Sequence, residues 1–135
     1  MLNAATLALI LLRVTGLMQI VLGALFWTGN ALPLISVHMR IGVVLVITLW
    51  VLALLAARAG VNLALAALAL GWGAAVLILG LTQARLLPGD LHWLIQVLHL
   101  LAGLAAIGMG ERLASHITSS NPAPDAAPGS RGVAR

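Results

Sequence analysis

Apolar residues fill four long stretches of this chain, and short polar segments separate them. Each stretch reaches the roughly 20 residues that a helix needs to cross the hydrocarbon core of a bilayer. The stretches cover residues 7–27, 33–58, 62–83 and 91–112. No segment alternates apolar and polar residues with the period of two that a transmembrane β-strand requires. The pattern therefore predicts four transmembrane helices.

The segments between the stretches contain residues that end or begin helices. Residues 28–30, Thr-Gly-Asn, follow the first stretch, and Pro33 lies where a first helical turn tolerates a missing N–H. Residues 59–60 offer a glycine cap, and residues 88–90, Pro-Gly-Asp, form a turn. Because such short connections force consecutive helices to run antiparallel, we predict an all-α, up-down four-helix bundle.

Composition supports a membrane protein and excludes several kinds of site. Hydrophobic residues make up 62% of the chain and charged residues 7%, whereas a soluble domain carries about 25% charged residues. The net charge of +4 is spread too sparsely to indicate nucleic-acid binding. With no cysteine, the chain has no disulfide, thiolate metal site, iron–sulfur cluster or covalently attached c-type haem.

The arginines predict the orientation. If both termini are cytoplasmic, five arginines lie on the inner side: Arg13, Arg58, Arg112, Arg131 and Arg135. Only Arg40 and Arg85 then lie outside, so the positive-inside rule favours this topology. We expect an integral protein of a bacterial inner membrane, with residues 1–118 forming the four-helix domain. The Pro- and Ser-containing residues 119–135 are predicted to be a disordered cytoplasmic tail.

Small and polar residues recur on one face of each predicted helix. The third stretch carries the longest such face, and it consists of Asn62, Ala66, Ala69, Gly73, Val76, Gly80 and Gln83. The face of the last stretch consists of His92, Gln96, His99, Gly103, Ala106 and Gly110. Shorter faces contain Gly16, Gln19 and Gly23 in the first stretch, and His38 and Gly42 in the second. Polar groups in hydrocarbon cost several kcal/mol without a partner, so we expect these faces to meet inside the bundle. For the glycines alone, ordinary helix packing is an equal alternative.

Three of the four histidines fall in the outer half of the predicted bundle. These are His38, His92 and His99, whereas His116 follows Arg112 on the inner side. No acidic residue lies beside the three histidines on the same faces, so a zinc enzyme is unsupported. The chain also lacks the acids for a carboxylate pair or a nucleophilic triad, and we predict no catalytic residues.

Two histidines on facing helices suit a haem b with imidazole at both axial positions. Gly42 and Gly103 lie one turn deeper than His38 and His99, where small residues leave room for a porphyrin. Arg40 and Arg85 are placed to pair with its propionates. The second ligand stays open between two residues. His38 and His92 each precede an inner-side arginine by 20 residues, which favours His92, whereas the glycine pattern favours His99.

The histidine-bearing hairpins resemble the four-helix unit of membrane cytochromes b, and in particular one half of haem A synthase. The matching positions are His38 within residues 36–40, Ser-Val-His-Met-Arg, and His99 within residues 97–103, Val-Leu-His-Leu-Leu-Ala-Gly. In that family these positions ligate haem. The synthase half has a catalytic glutamate one turn before its second-helix histidine, where this chain has Ile35, and its cysteine-bearing loop has no counterpart. The resemblance therefore implies haem holding rather than oxidation chemistry.

Three functions follow from these observations as alternatives. The first is a small membrane haem b protein that carries electrons, alone, as a homo-oligomer, or within a respiratory or photosynthetic complex. The second is a cofactor-free accessory subunit that packs on a larger membrane complex. The third is a subunit that ligates chlorophyll or bacteriochlorophyll, for which one histidine per ring suffices.

Overall fold

A computed structural model of the protein describes residues 3–120 and shows four long helices. They are α1 (Ala4–Trp27), α2 (Ile35–Arg58), α3 (Leu63–Thr82) and α4 (His92–Ser120). Short 3-10 turns at Leu32–Leu34 and Gln83–Arg85 precede α2 and follow α3. All four helices are long and apolar enough to cross a membrane. The predicted all-α bundle of membrane-spanning helices is confirmed.

The helices form a bundle with one close diagonal. Consecutive helices pack side by side, α4 also packs on α1, and α2 contacts α4 across the bundle. Within residues 3–120, no Cα atom of α1 lies within 8 Å of one in α3. The loops after α1 and α3 share one end, here called the histidine end, and the α2–α3 turn shares the other with Asn3 and Ser120, here called the terminal end. Because of the diagonal, a side chain of α2 can meet one of α4 directly.

The ends of the helices follow from local chemistry, with one exception. The Asn3 side chain accepts a hydrogen bond from the N–H of Thr6 at 2.8 Å, and Gly60 ends α2 with φ +75°. The exception is α4, which continues eight residues past the predicted end at Arg112. Leu113 and Ala114 are buried, so this last part of α4 packs on the bundle although its hydropathy falls. Most of the predicted tail, residues 121–135, lies outside the described residues.

Two tryptophans connect neighbouring helices through side-chain to backbone hydrogen bonds. Trp50 of α2 donates its indole N–H to the carbonyl of Leu70 in α3, and Trp72 of α3 donates to the carbonyl of Ala102 in α4, each at 3.0 Å. An indole N–H in hydrocarbon has no water to bind, so a carbonyl on the adjacent helix is its available acceptor. Gly73 makes the first bond possible because a Cβ there would lie 2.6 Å from the Trp50 indole nitrogen.

An ion pair joins α1 to α4 at the terminal end. The guanidinium of Arg13 donates two hydrogen bonds to the carboxylate of Glu111, at 2.6 and 2.8 Å. The two side chains keep 59% and 38% of their surface exposed, so the pair lies on the outside of the bundle. The bidentate geometry matches the planar fork of arginine to the carboxylate. Arg13 therefore has a partner within the protein, a contact that the sequence pattern did not indicate.

We predict that Gly73→Ala destabilises the bundle, because the added methyl group displaces the Trp50 indole and breaks its bond to Leu70. The expected loss is about 1–3 kcal/mol in the free energy of unfolding, measured by denaturant titration in micelles. Gly71→Ala is the matched control, since a Cβ at Gly71 meets no atom within 4 Å. Equal destabilisation by both substitutions would contradict the proposed role of the glycine.

We also predict that Glu111→Gln and Arg13→Gln each lower the melting temperature in detergent. Each single variant leaves one charge without its partner, so the double variant with both substitutions should melt higher than the additive expectation from the two single variants. Additive effects in this double-mutant cycle would show that the pair contributes nothing to stability.

Candidate functional site

Two histidine rings meet across the diagonal of the bundle. The ring centroids of His38 in α2 and His99 in α4 lie 6.5 Å apart, and their planes are inclined by 60°. Both residues are partly buried. We call these two residues the histidine pair. Of the two fourth-helix candidates, the structure therefore places His99 and not His92 opposite His38.

His99 and not His92 faces His38 because α4 is displaced along its axis relative to α2. The sequence argument for His92 placed Arg58 and Arg112 at the same level. In the structure α2 ends at Arg58, whereas α4 runs on to Ser120 beside the bundle. This offset brings a residue further along α4 to the level of His38. His92 instead begins α4, and its ring Nδ1 lies 3.1 Å from the carbonyl oxygen of Leu86.

Two residues of α1 contact His38. The amide nitrogen of Gln19 lies 3.5 Å from Nε2 of the ring, at the outer limit of a hydrogen bond. Phe26 presents an edge-on contact to the same ring, with centroids 5.3 Å apart and planes inclined by 70°. The Gly16, Gln19 and Gly23 spacing indicated the Gln19 face in the sequence. Nothing in the pattern distinguished Phe26 from the surrounding apolar residues.

Glycines provide the space for these side chains, although not all at the predicted positions. A Cβ at Gly42 would lie 2.8 Å from the Gln19 amide nitrogen, so Gly42 accommodates Gln19. A Cβ at Gly80 in α3 would lie 3.0 Å from Cε1 of His99. A Cβ at Gly103, the glycine predicted to serve His99, meets no atom within 4 Å. The close approach to His99 is therefore made from α3.

Three buried polar atoms of this cluster lack a hydrogen-bond partner in the described part of the chain. They are Oε1 of Gln19, Nδ1 of His38 and Nδ1 of His99. Buried polar groups in proteins are nearly always hydrogen-bonded, and an unpartnered one costs about 1–3 kcal/mol. Three such atoms on three helices therefore form a cluster of unused hydrogen-bonding capacity.

The other residues that the sequence analysis considered are mostly exposed or lie at the terminal end. Arg40 and Arg85 are exposed towards the histidine end. Gln96 is exposed, off the inner face that its spacing predicted. His116 lies at the terminal end, where it lines a cavity of about 460 Å³ together with Arg112 and the α2–α3 turn.

The spacing of the histidine pair can be compared with that of two imidazoles bound to one metal ion. Within residues 3–120, no group of three or more His, Asp or Glu side chains could hold a metal ion, so a closed site of protein ligands is absent there. Metal–nitrogen bonds to histidine are about 2 Å long, which separates two ring centroids by about 6 Å when an ion lies between them. The observed 6.5 Å is close to that spacing. A metal whose other ligands come from a macrocycle needs no further protein ligand.

No protein-family model, curated protein or solved structure matches this chain.

We predict that Gly80→Ala perturbs His99, because its Cβ would press on the ring, whereas Gly103→Ala does not. In histidine-labelled protein, the ring resonances of His99 should shift clearly in the first variant and stay near their original positions in the second. Shifts of the same size in both variants would contradict the packing of His99 against α3.

Proposed function

We propose that this chain is a small integral membrane b-type cytochrome in which His38 and His99 provide the two axial ligands of a haem b. The observation that carries the proposal is the histidine pair itself: two imidazoles from diagonal helices, 6.5 Å apart, each with an unpartnered buried nitrogen. Both nitrogens lie in an apolar bundle. There, binding to a metal would remove the free-energy cost of a buried polar atom without a partner.

The chain's own residues define what such a site does. Haem with two imidazole ligands supplies one-electron chemistry and leaves no iron position for a substrate. His38 and His99 would hold the haem from opposite helices, and the edge contact of Phe26 would restrain the His38 ring. The proposal assigns Arg40 and Arg85, which are exposed towards the same end, to the propionates. Electron transfer is the function that this arrangement supports best.

The membrane, the orientation of the chain and its partners are also part of the proposed function. We infer that it resides in a bacterial inner membrane with both termini in the cytoplasm, on the distribution of arginines between the two ends. The helices expose many large apolar side chains around the whole bundle. Lipid covers such surfaces, and so do other membrane subunits or further copies of this chain, which are the partners that the proposal implies.

The test is an absorption spectrum of the full chain purified in detergent, before and after dithionite. We expect a reduced-minus-oxidised spectrum of the low-spin b type. His38→Ala and His99→Ala should each abolish the low-spin signal, because each removes one axial ligand. His92→Ala is the matched control and should retain the signal, since His92 lies outside the pair.

A colourless preparation that does not take up added haem would overturn the proposal. So would a low-spin spectrum that survives His38→Ala. A signal lost in His92→Ala but retained in His99→Ala would move the second ligand to the start of α4.

The contacts around the pair favour a second candidate, a cofactor-free accessory subunit. Phe26 and Gln19 contact His38, and Gly80 of α3 approaches His99, so each ring already packs against another helix of the bundle. On this alternative the histidines join helices, as polar side chains do in membrane bundles. The protein would then purify without colour and co-migrate with a larger complex. His38→Ala would lower its stability without changing any spectrum.

A further inference from the structure

The Gln19 side chain lies beside one histidine of the pair, His38. It reaches from α1 to within 3.5 Å of Nε2 of His38. Its carbonyl oxygen Oε1 and the other ring nitrogen, Nδ1 of His38, are both buried and unpartnered. The roles of all three atoms depend on which nitrogen of the neutral His38 ring carries the proton.

A neutral imidazole has one N–H donor and one nitrogen lone pair, and the partner of one nitrogen decides the state of the other. If the amide nitrogen of Gln19 donates to Nε2, the proton must lie on Nδ1 and the ring has no free lone pair. If the amide is turned over, Oε1 accepts a hydrogen bond from Nε2–H and the lone pair lies on Nδ1. The two orientations occupy the same space, because the amide oxygen and nitrogen differ only in their hydrogen bonds.

We propose that Gln19 is the positioning residue of His38, with Oε1 accepting from Nε2–H so that Nδ1 carries the lone pair. The role of that lone pair as a ligand rests on the proposed haem function. Histidines that bind metals almost always donate their other N–H to a carbonyl, carboxylate or water, which fixes the tautomer and raises the basicity of the ligand. Of the two orientations, only this one keeps the Gln19 contact and leaves His38 able to bind a metal.

Gly42 leaves the space that the Gln19 amide occupies beside His38. It lies one turn after His38 on α2, and a Cβ there would lie 2.8 Å from the Gln19 amide nitrogen. A methyl group at this position pushes the amide away from the ring. The amide is the far end of a flexible side chain, so it can move without disrupting the helices. Gly42→Ala should therefore act on His38 through Gln19 without altering either residue.

The first experiment needs no haem. The full chain is prepared haem-free with ¹⁵N-labelled histidine, and NMR determines which nitrogen of His38 carries the proton. We expect Nε2–H in the parent protein, and a mixture of both tautomers in Gln19→Leu and in Gly42→Ala. Two controls should keep the parent state: Gln96→Leu, which changes an exposed glutamine of α4, and Gly23→Ala, where a Cβ meets no atom within 4 Å. Helix content by circular dichroism verifies that each variant is folded.

The second experiment uses the haem-loaded protein and measures its midpoint potential. Loss of the acceptor makes the His38 imidazole less basic, which stabilises the oxidised iron less. We therefore expect a higher midpoint potential in Gln19→Leu and no change in Gln96→Leu. A role in packing alone would lower stability and leave the potential of the folded fraction unchanged.

The outcomes separate the inference from the proposed function. A proton on Nδ1 of His38 in the parent protein overturns the inference, as does a tautomer that Gln19→Leu leaves unchanged. Neither result affects a haem spectrum. If the protein binds no haem but shows the expected tautomer and its loss in Gln19→Leu, the positioning role stands and the cytochrome proposal falls.

Discussion

The bilayer requires that almost every polar group inside it find a partner within the protein, and this requirement accounts for most of the polar contacts in the bundle. Thr15 and Thr48 donate their hydroxyls to carbonyls one turn earlier on their own helices. Trp50 and Trp72 donate to carbonyls of neighbouring helices. Against this background, the unpartnered atoms of Gln19, His38 and His99 are exceptional among the described residues. The proposed haem site rests on the clustering of these three atoms.

The diagonal contact between α2 and α4 determines which residues form that site. In a symmetric bundle of four helices, neither diagonal pair is closer than the other. A histidine on one helix would then lie equally near to both adjacent helices. Here α2 and α4 approach each other, and the backbones of α1 and α3 lie farther apart on either side of them. The diagonal helices supply the two imidazoles. The flanking helices supply Gln19 and Gly80, whose contacts hold one ring each.

Much of this arrangement could be predicted from the sequence, because hydropathy and turn residues act locally. The four spans, the glycine cap after α2 and the candidacy of His38 follow from a few neighbouring residues each. The choice between His92 and His99 could not be made, because it depends on how far α4 slides along α2. The bond between Arg13 and Glu111 joins residues 98 positions apart, and no local pattern marks it. Gly80 stood on a predicted small-residue face, but its contact with His99 depends on the rotation of α3.

The long sequence separation within the Arg13–Glu111 pair bears on how the protein is made. Helix α1 is synthesised first, and Arg13 enters the membrane with it. Its carboxylate partner follows 98 residues later, which at ordinary rates of translation is about 5–20 s. During that interval the guanidinium is without the carboxylate that pairs with it in the folded bundle. The arrival of α4 then both neutralises this charge and brings His99 to His38, so completion of the ion pair and assembly of the histidine site coincide in biogenesis.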